Sequence, residues 1–368
     1  MKEVFCQDKA ISVLQRAYAA GKVPHAYIFA GPDGVGKFKT AAEFAKLLLC
    51  RNPVVENTFT DSCGSCESCR AFGADSHPDF HSVYKELLEF TKNGKDKTTP
   101  VDLPIDVIRE FLIEKVSNRP ALSQRKVFIV SEAEKLNAAS QNCLLKTLEE
   151  PPGYCCIILL CTRPENLLPT TKSRCQTIRF GPIAEEKIIE QLKQTGIDDR
   201  KNEYFSRLAQ GSLGRACQWA KLELAGANLY EIKRKLIDSI SKFRYADALD
   251  LAGECISDGS AIAAVWVKMD AATSKTDINR RAAKTLVQII ISALSDAMKL
   301  GITHKGGLIN SDQKDKIENL ARRFAPEQLA LKIADACKTL DWIDSSVNEK
   351  LIFEQLLLNL AVSDIMKV

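Results

Sequence analysis

An apolar pentapeptide, Ala26-Tyr27-Ile28-Phe29-Ala30, runs straight into Gly31-Pro32-Asp33-Gly34-Val35-Gly36-Lys37-Phe38. The next segment, from Lys37 to Leu49, places Ala41, Phe44, Ala45 and Leu48 at helical spacing. Strand, glycine loop and helix in this order fit the pattern G-x-x-x-x-G-K-[ST] everywhere except its last position. Gly31, Gly34 and Gly36 let backbone N–H groups turn toward phosphate oxygens. The helix N-terminus adds a favourable dipole, and Lys37 would reach the β and γ phosphates. A glycine-rich turn without a ligand is the alternative reading. The missing part is the hydroxyl: Phe38 cannot ligate Mg²⁺, and Thr40 lies about 200° further round the helix.

The rest of the first half continues the alternation. Val127-Phe128-Ile129-Val130 and Cys155 to Cys161 are continuous apolar runs, expected as buried strands. Ile105, Ile108, Phe111 and Leu112 predict one helix, and Leu144, Leu145 and Leu148 another, stopped by Pro151-Pro152. This predicts an α/β domain with a parallel sheet covered on both faces. After Phe180-Gly181-Pro182 no strand run recurs. Glu185 to Gln194 and Tyr204 to Ala220 look helical, and a helical tract from Tyr230 to Val368 is broken near Gly301, Gly306-Gly307 and Pro326. The expected architecture is therefore α/β followed by all-α, with domains at 1–181, 182–223 and 224–368. Thr91 to Pro104 reads as a polar surface loop.

A working phosphate site also needs an acidic residue at the end of a second strand to hold Mg²⁺. The Val127–Val130 run ends in Ser131-Glu132-Ala133-Glu134, so Ser131 stands where the aspartate is expected. Glu132 occupies the place of a water-activating base, or is simply a solvated turn, as is Glu134. Phe38 and Ser131 both remove magnesium ligands. ATP binding is accordingly expected to be weak or absent, Mg²⁺ is not expected, and hydrolysis by this chain is expected to be lost.

Cys63-x₂-Cys66-x₂-Cys69 supplies three thiolates within seven residues, and Cys50 lies upstream at the end of the loop's helix. Four closely spaced thiolates suit a closed, structural Zn²⁺ site in a knuckle spanning 50–69. An iron–sulfur cluster and a set of free thiols are the other readings. His77 and His81 are read as structural, and Cys143, Cys155, Cys156 and Cys161 as small core residues. The chain has 13 cysteines and no apolar leader in MKEVFCQDKA, so a reducing, cytoplasmic setting is expected rather than a disulfide framework. The longest uninterrupted apolar run falls well short of the roughly 20 residues of a membrane helix, so no membrane partner is expected. With 51 Lys and Arg against 47 Asp and Glu, the net charge of +4 permits a nucleic-acid partner without the strongly basic footprint of a dedicated DNA-binding module.

Several segments taken together resemble one family: Pro24-His25-Ala26, the GPDGVGK loop, the cysteine knuckle, His77-Pro78-Asp79, the run Asn142 to Pro152 (NCLLKTLEEPP), Ser173-Arg174-Cys175, and Asn348 to Leu360 (NEKLIFEQLLLNL). The chain is similar to bacterial clamp-loader subunits of the AAA+ class. By spacing alone Arg174 is an ordinary arginine at a loop end, where surface ion pairs are the rule. The resemblance implies more. In such subunits the arginine of Ser-Arg-Cys is donated in trans to the γ-phosphate of a neighbour's ATP, which assigns Arg174 as a finger. It implies a P-loop AAA+ domain, a helical lid and a C-terminal helical collar. It also implies that Thr162 and Arg215 are remnants of the two nucleotide sensors. The implied partners are the clamp-loader motor subunits, the delta subunit, the sliding clamp and, through the complex, primed DNA. The loss of both magnesium anchors favours a non-hydrolysing stator. The competing readings are an ATP-hydrolysing motor subunit and a zinc-dependent nucleic-acid-binding module.

Overall fold

The computed structural model describes residues 1, 4–56, 59–92, 101–270, 273–303, 307–345 and 347–361. Most of the expected loop at 91–104, and Gly306, lie outside them. The described residues form two compact units, one of residues 1–183 with 211–214, the other of 184–210 with 215 onward.

The first unit is built on a five-stranded sheet. Its strands are β1 (Ala26–Ala30), β4 (Phe80–Val83), β5 (Lys126–Val130), β6 (Cys155–Cys161) and β7 (Gln176–Arg179), in the order β4-β5-β6-β1-β7. Every neighbouring pair is parallel. Parallel strands need crossovers, and the helices that make them cover both faces. That is why β1 and β6 are apolar at every position and β5 at every position after Lys126, and all three are buried throughout. Alternate residues feed two cores. Tyr27, Phe29, Val127, Ile129, Cys156 and Ile158 pack with α1 (Asp8–Ala19) and α2 (Lys37–Leu49). Ile28, Phe128, Val130, Ile157 and Leu159 pack with the opposite layer. That layer holds α4 (Ile105–Ile108), α5 (Glu114–Val116), the π-helical turn Arg109–Ile113 between them, and α6 (Ala138–Glu149). The periodicity argument did not reach α1, the hairpin β2 (Val54–Glu56) and β3 (Phe59–Asp61), or β4, whose Phe-His-Ser-Val carries only a short apolar signal. The short helices α3 (Glu67–Gly73) and α7 (Pro169–Ser173) complete the unit.

On β4, His81 stacks on Phe128 with ring centroids 4.9 Å apart. Burial, helped by the charges of Lys115 and Lys126, draws its pKa down to about 4. The unfolded value is about 6.5, so the folded state binds its proton less readily. The stabilisation is complete above pH ~6.5 and is lost as pH falls toward 4, an effect of about 3 kcal/mol. Melting curves across that window should fall more steeply for the wild type than for His81→Gln, and parallel slopes would remove His81 from the acid limb.

The second unit is helical. It contains α8 (Glu185–Lys193), α9 (Asp199–Leu208), most of α10 (Leu213–Leu222), α11 (Leu229–Lys242), α12 (Ala248–Met269), α13 (Lys275–Thr303), α14 (Lys314–Arg323), α15 (Pro326–Asp344) and α16 (Glu349–Ala361). The single helix expected over Tyr204 to Ala220 is instead broken between α9 and α10, where Gln210 and Gly211 take positive φ. Pro326 is the first residue of α15, where a missing N–H breaks no helical bond. α13 is long and apolar enough to cross a membrane by composition alone. Its apolar residues Ile278, Leu286, Ile289, Ile290 and Leu294 are instead buried within the unit, with α12, α14 and α15 packed around it.

Candidate functional site

The glycine loop leaves β1, which lies between β6 and the edge strand β7, and ends at Gly36. Gly36 caps α2 with φ +98°, a conformation that a residue with Cβ takes at a cost. Lys37 does not reach outward. Its Nζ donates to the carbonyls of Gly31 at 2.7 Å and Pro32 at 2.6 Å, and the residue is buried. Thr40 is also buried, and its hydroxyl donates to the Gly36 carbonyl at 2.9 Å. Phe38, at the position of the missing hydroxyl, is half exposed. The segment 211–214 closes down on the loop: the Gly214 N–H donates to the Gly34 carbonyl at 2.8 Å. A Cβ on Gly214 would come within 2.9 Å of the Gly34 Cα, so no larger residue fits.

The second strand end is likewise tied internally. Ser131 follows β5 and donates its N–H to the Val83 carbonyl. Glu132 has φ +50° and pairs with Lys135 at 2.7 Å. Glu134 accepts from both the backbone N–H and the hydroxyl of Thr162, so the expected sensor threonine is held by a carboxylate. Arg215 lies in the first turn of α10, half-buried, in the second unit.

Cys50, Cys63, Cys66 and Cys69 come together. Cys50 ends α2, Cys63 and Cys66 flank a turn, and Cys69 sits on α3, with all four Sγ atoms within 4.8 Å of one another. Three Sγ pairs measure 3.6 Å (Cys50–Cys63), 4.0 Å (Cys50–Cys66) and 4.0 Å (Cys63–Cys69). A tetrahedron with Zn–S of about 2.3 Å has edges of about 3.8 Å, so the set matches that ion. Each sulfur of Cys50, Cys63 and Cys66 also accepts a backbone N–H, from Cys63, Cys66 and Cys69 in turn. The N–H of Cys66, with that of Ser65, draws the Cys63 thiol down to about 6. Burial pushes Cys50 and Cys69 up. A cation is what would let all four ionise together.

The knuckle is fastened by His77-Pro78-Asp79. His77 Nε2 lies 2.8 Å from Ser68 Oγ and 3.2 Å from Ser123 Oγ, and both hydroxyls also reach the Leu49 carbonyl. The Asp79 carboxylate accepts the N–H groups of Ala121, Leu122 and Ser123 at 2.7–2.8 Å. Burial raises its pKa, yet those three bonds win and leave it lowered. Both histidines are thus accounted for by packing and hydrogen bonding.

Arg174 follows α7 directly, with its side chain about one-third exposed. Its Nη1 donates to the Thr170 carbonyl at 2.9 Å and lies 3.4 Å from Ser173 Oγ, while Nη2 pairs with Glu149 Oε1 at 2.6 Å. The Gln141 side chain donates to the carbonyls of Leu136 and Asn166 and accepts the Leu168 N–H, tying α6 to the chain that enters α7. Glu134, expected as a solvated turn residue, instead holds Thr162. Glu149, Gln141 and Gly214 had no role assigned from the sequence, and of these Glu149 lay within the Asn142–Pro152 run.

Two family models match the chain. The one described as DNA polymerase III, delta subunit, covers residues 6–184, and its C-terminal counterpart covers residues 271–361. DNA polymerase III subunit delta' of Escherichia coli K12 is 27% identical, over 94% of this chain and 92% of its own length. Subunit delta' of Pseudomonas aeruginosa PAO1 is 36% identical over 41% of each chain. Subunit tau of Bacillus subtilis 168 is 29% identical over 70% of this chain and 46% of its own. The Escherichia coli delta' match spans nearly the whole chain, and delta-subunit models match residues 6–184 and 271–361. The chain belongs to the delta-prime clamp-loader family of bacterial DNA polymerase III.

Proposed function

We propose that this chain is the non-hydrolysing stator of the clamp loader. It stands in a ring with the motor subunits and the delta subunit, and helps place the sliding clamp on primed DNA during replication. Within it, 1–181 serves as the AAA+ domain, 182–223 as the lid and 224–368 as the collar that joins the ring. Arg174 is offered in trans to the γ-phosphate of ATP held by an adjoining motor subunit. Arginine suits this role because its charge is permanent and its planar fork binds phosphate oxygens in two places.

The observation that carries the reading is the phosphate loop turned in on itself. Lys37 is spent on the loop's own carbonyls, and Gly34 is covered by Gly214. Phe38 and Ser131 stand where magnesium needs oxygen ligands. Thr162, the expected sensor, is bonded to Glu134. A nucleotide would have to break these contacts and would find no metal anchor. The Zn²⁺ held by Cys50, Cys63, Cys66 and Cys69 would be structural, since four thiolates leave no open coordination position.

The purified chain, given ATP and Mg²⁺, is expected to show no turnover above background, with Lys37→Ala indistinguishable from the wild type. Magnesium-dependent hydrolysis that disappears in Lys37→Ala would make this chain a motor subunit instead.

A further inference from the structure

A finger is only as useful as its aim, and the aim of Arg174 is set from outside its own helix. Thr170 and Ser173 belong to α7, but Glu149 is the last residue of α6. Its carboxylate stands at the C-terminal end of that helix, where the partial negative charge of the last carbonyls adds to the attraction for a cation. The Gln141 amide fixes the approach to α7 against α6, so both ends of the ion pair ride on packed elements.

We propose that Glu149 is the positioning residue for Arg174. It fixes the direction in which the guanidinium leaves α7, so that the cation is already aimed when a neighbour's phosphate arrives. This rests on the reading of Arg174 as a finger. At 33% and 48% side-chain exposure the pair adds little to stability, so its value lies in orientation. An arginine ordered only on contact with phosphate would lose its rotamer freedom at that moment, whereas one held beforehand has lost it already. The guanidinium has five N–H donors, so a carboxylate on one side leaves others for phosphate oxygens.

The test is a double-substitution cycle in the reconstituted ring, with ATP turnover followed at the site adjoining this chain. Glu149→Ala should lower kcat about three- to tenfold, with KM for ATP unchanged. Glu149→Gln, which keeps an acceptor oxygen at the same reach, should recover at least half of the lost rate. In an Arg174→Ala background, Glu149→Ala should have no further effect, because a residue that acts only through Arg174 has nothing left to act on. Wild-type turnover by Glu149→Ala, while Arg174→Ala remains slow, would overturn this proposal and leave the finger standing. So would an equal loss in both backgrounds. Full turnover by Arg174→Ala would remove the finger itself, and with it the basis of the proposal.

Discussion

Arg174→Ala, assembled into the ring, is expected to slow ATP turnover at the adjoining motor site by about 10³- to 10⁵-fold, the range that supplied arginine fingers command. The charge that develops on the γ-phosphoryl group in the transition state needs a fixed cation in a water-poor interface, and there a permanent charge is worth far more than it is in bulk water. Assembly should be unaffected, since the side chain is tied to its own subunit by one partly exposed ion pair and two hydrogen-bonding contacts. Arg174→Lys should recover only part of the loss, because an ammonium keeps the charge but not the planar fork. The measurement is single-turnover hydrolysis in a ring whose remaining motor sites have been silenced, so that one active site is read. Unchanged turnover by the alanine variant would end the finger assignment.

Removing the metal is expected to have the second large effect. A structural Zn²⁺ binds with about 10–16 kcal/mol of apparent free energy at neutral pH, most of it expressed as folding. Without the ion, four sulfurs within 4.8 Å of one another must be protonated or pushed apart. The damage should spread past the knuckle, because Ser68 shares the Leu49 carbonyl and the His77 ring with Ser123. We expect one Zn²⁺ per chain, released by chelation or by Cys66→Ser, with a fall in Tm of the first unit of about 20 °C or more. Amide exchange should rise across residues 50–80 and 121–123 and stay unchanged in α13. A metal-free chain with the same Tm would leave the cysteines as a set of thiols, and visible charge-transfer absorbance would identify an iron–sulfur cluster instead.

The sheet was legible because burial on both faces forces continuous apolar runs, and β1, β5 and β6 carry them. β4 was not legible: an edge strand of four residues with His81 and Ser82 inside it looks like a loop until Val127 to Val130 are seen beside it. The break at Gln210-Gly211 was hidden because the apolar spacing of α9 and α10 runs on across it. The cysteine knuckle could be read in part. Two-residue spacers brought Cys63, Cys66 and Cys69 together, but only the end of α2 set Cys50 beside them.

By itself the amino-acid order determined which residue types stand at the loop and at the second strand end: Phe38 carries no hydroxyl and Ser131 no carboxylate. What the remaining groups do instead was decided by the tertiary structure. Lys37 turning back on its loop, Glu134 taking Thr162, Gly214 covering Gly34 and Glu149 meeting Arg174 are all local matters of geometry. Except for the lysine, they join residues far apart in the chain. Periodicity reports which face of an element is buried and is silent on which distant side chain it will meet. Those meetings follow from crossover connections: Gly34, Glu134 and Thr162 come after the carboxyl ends of β1, β5 and β6, whereas Glu149 and Arg174 come before the amino ends of β6 and β7.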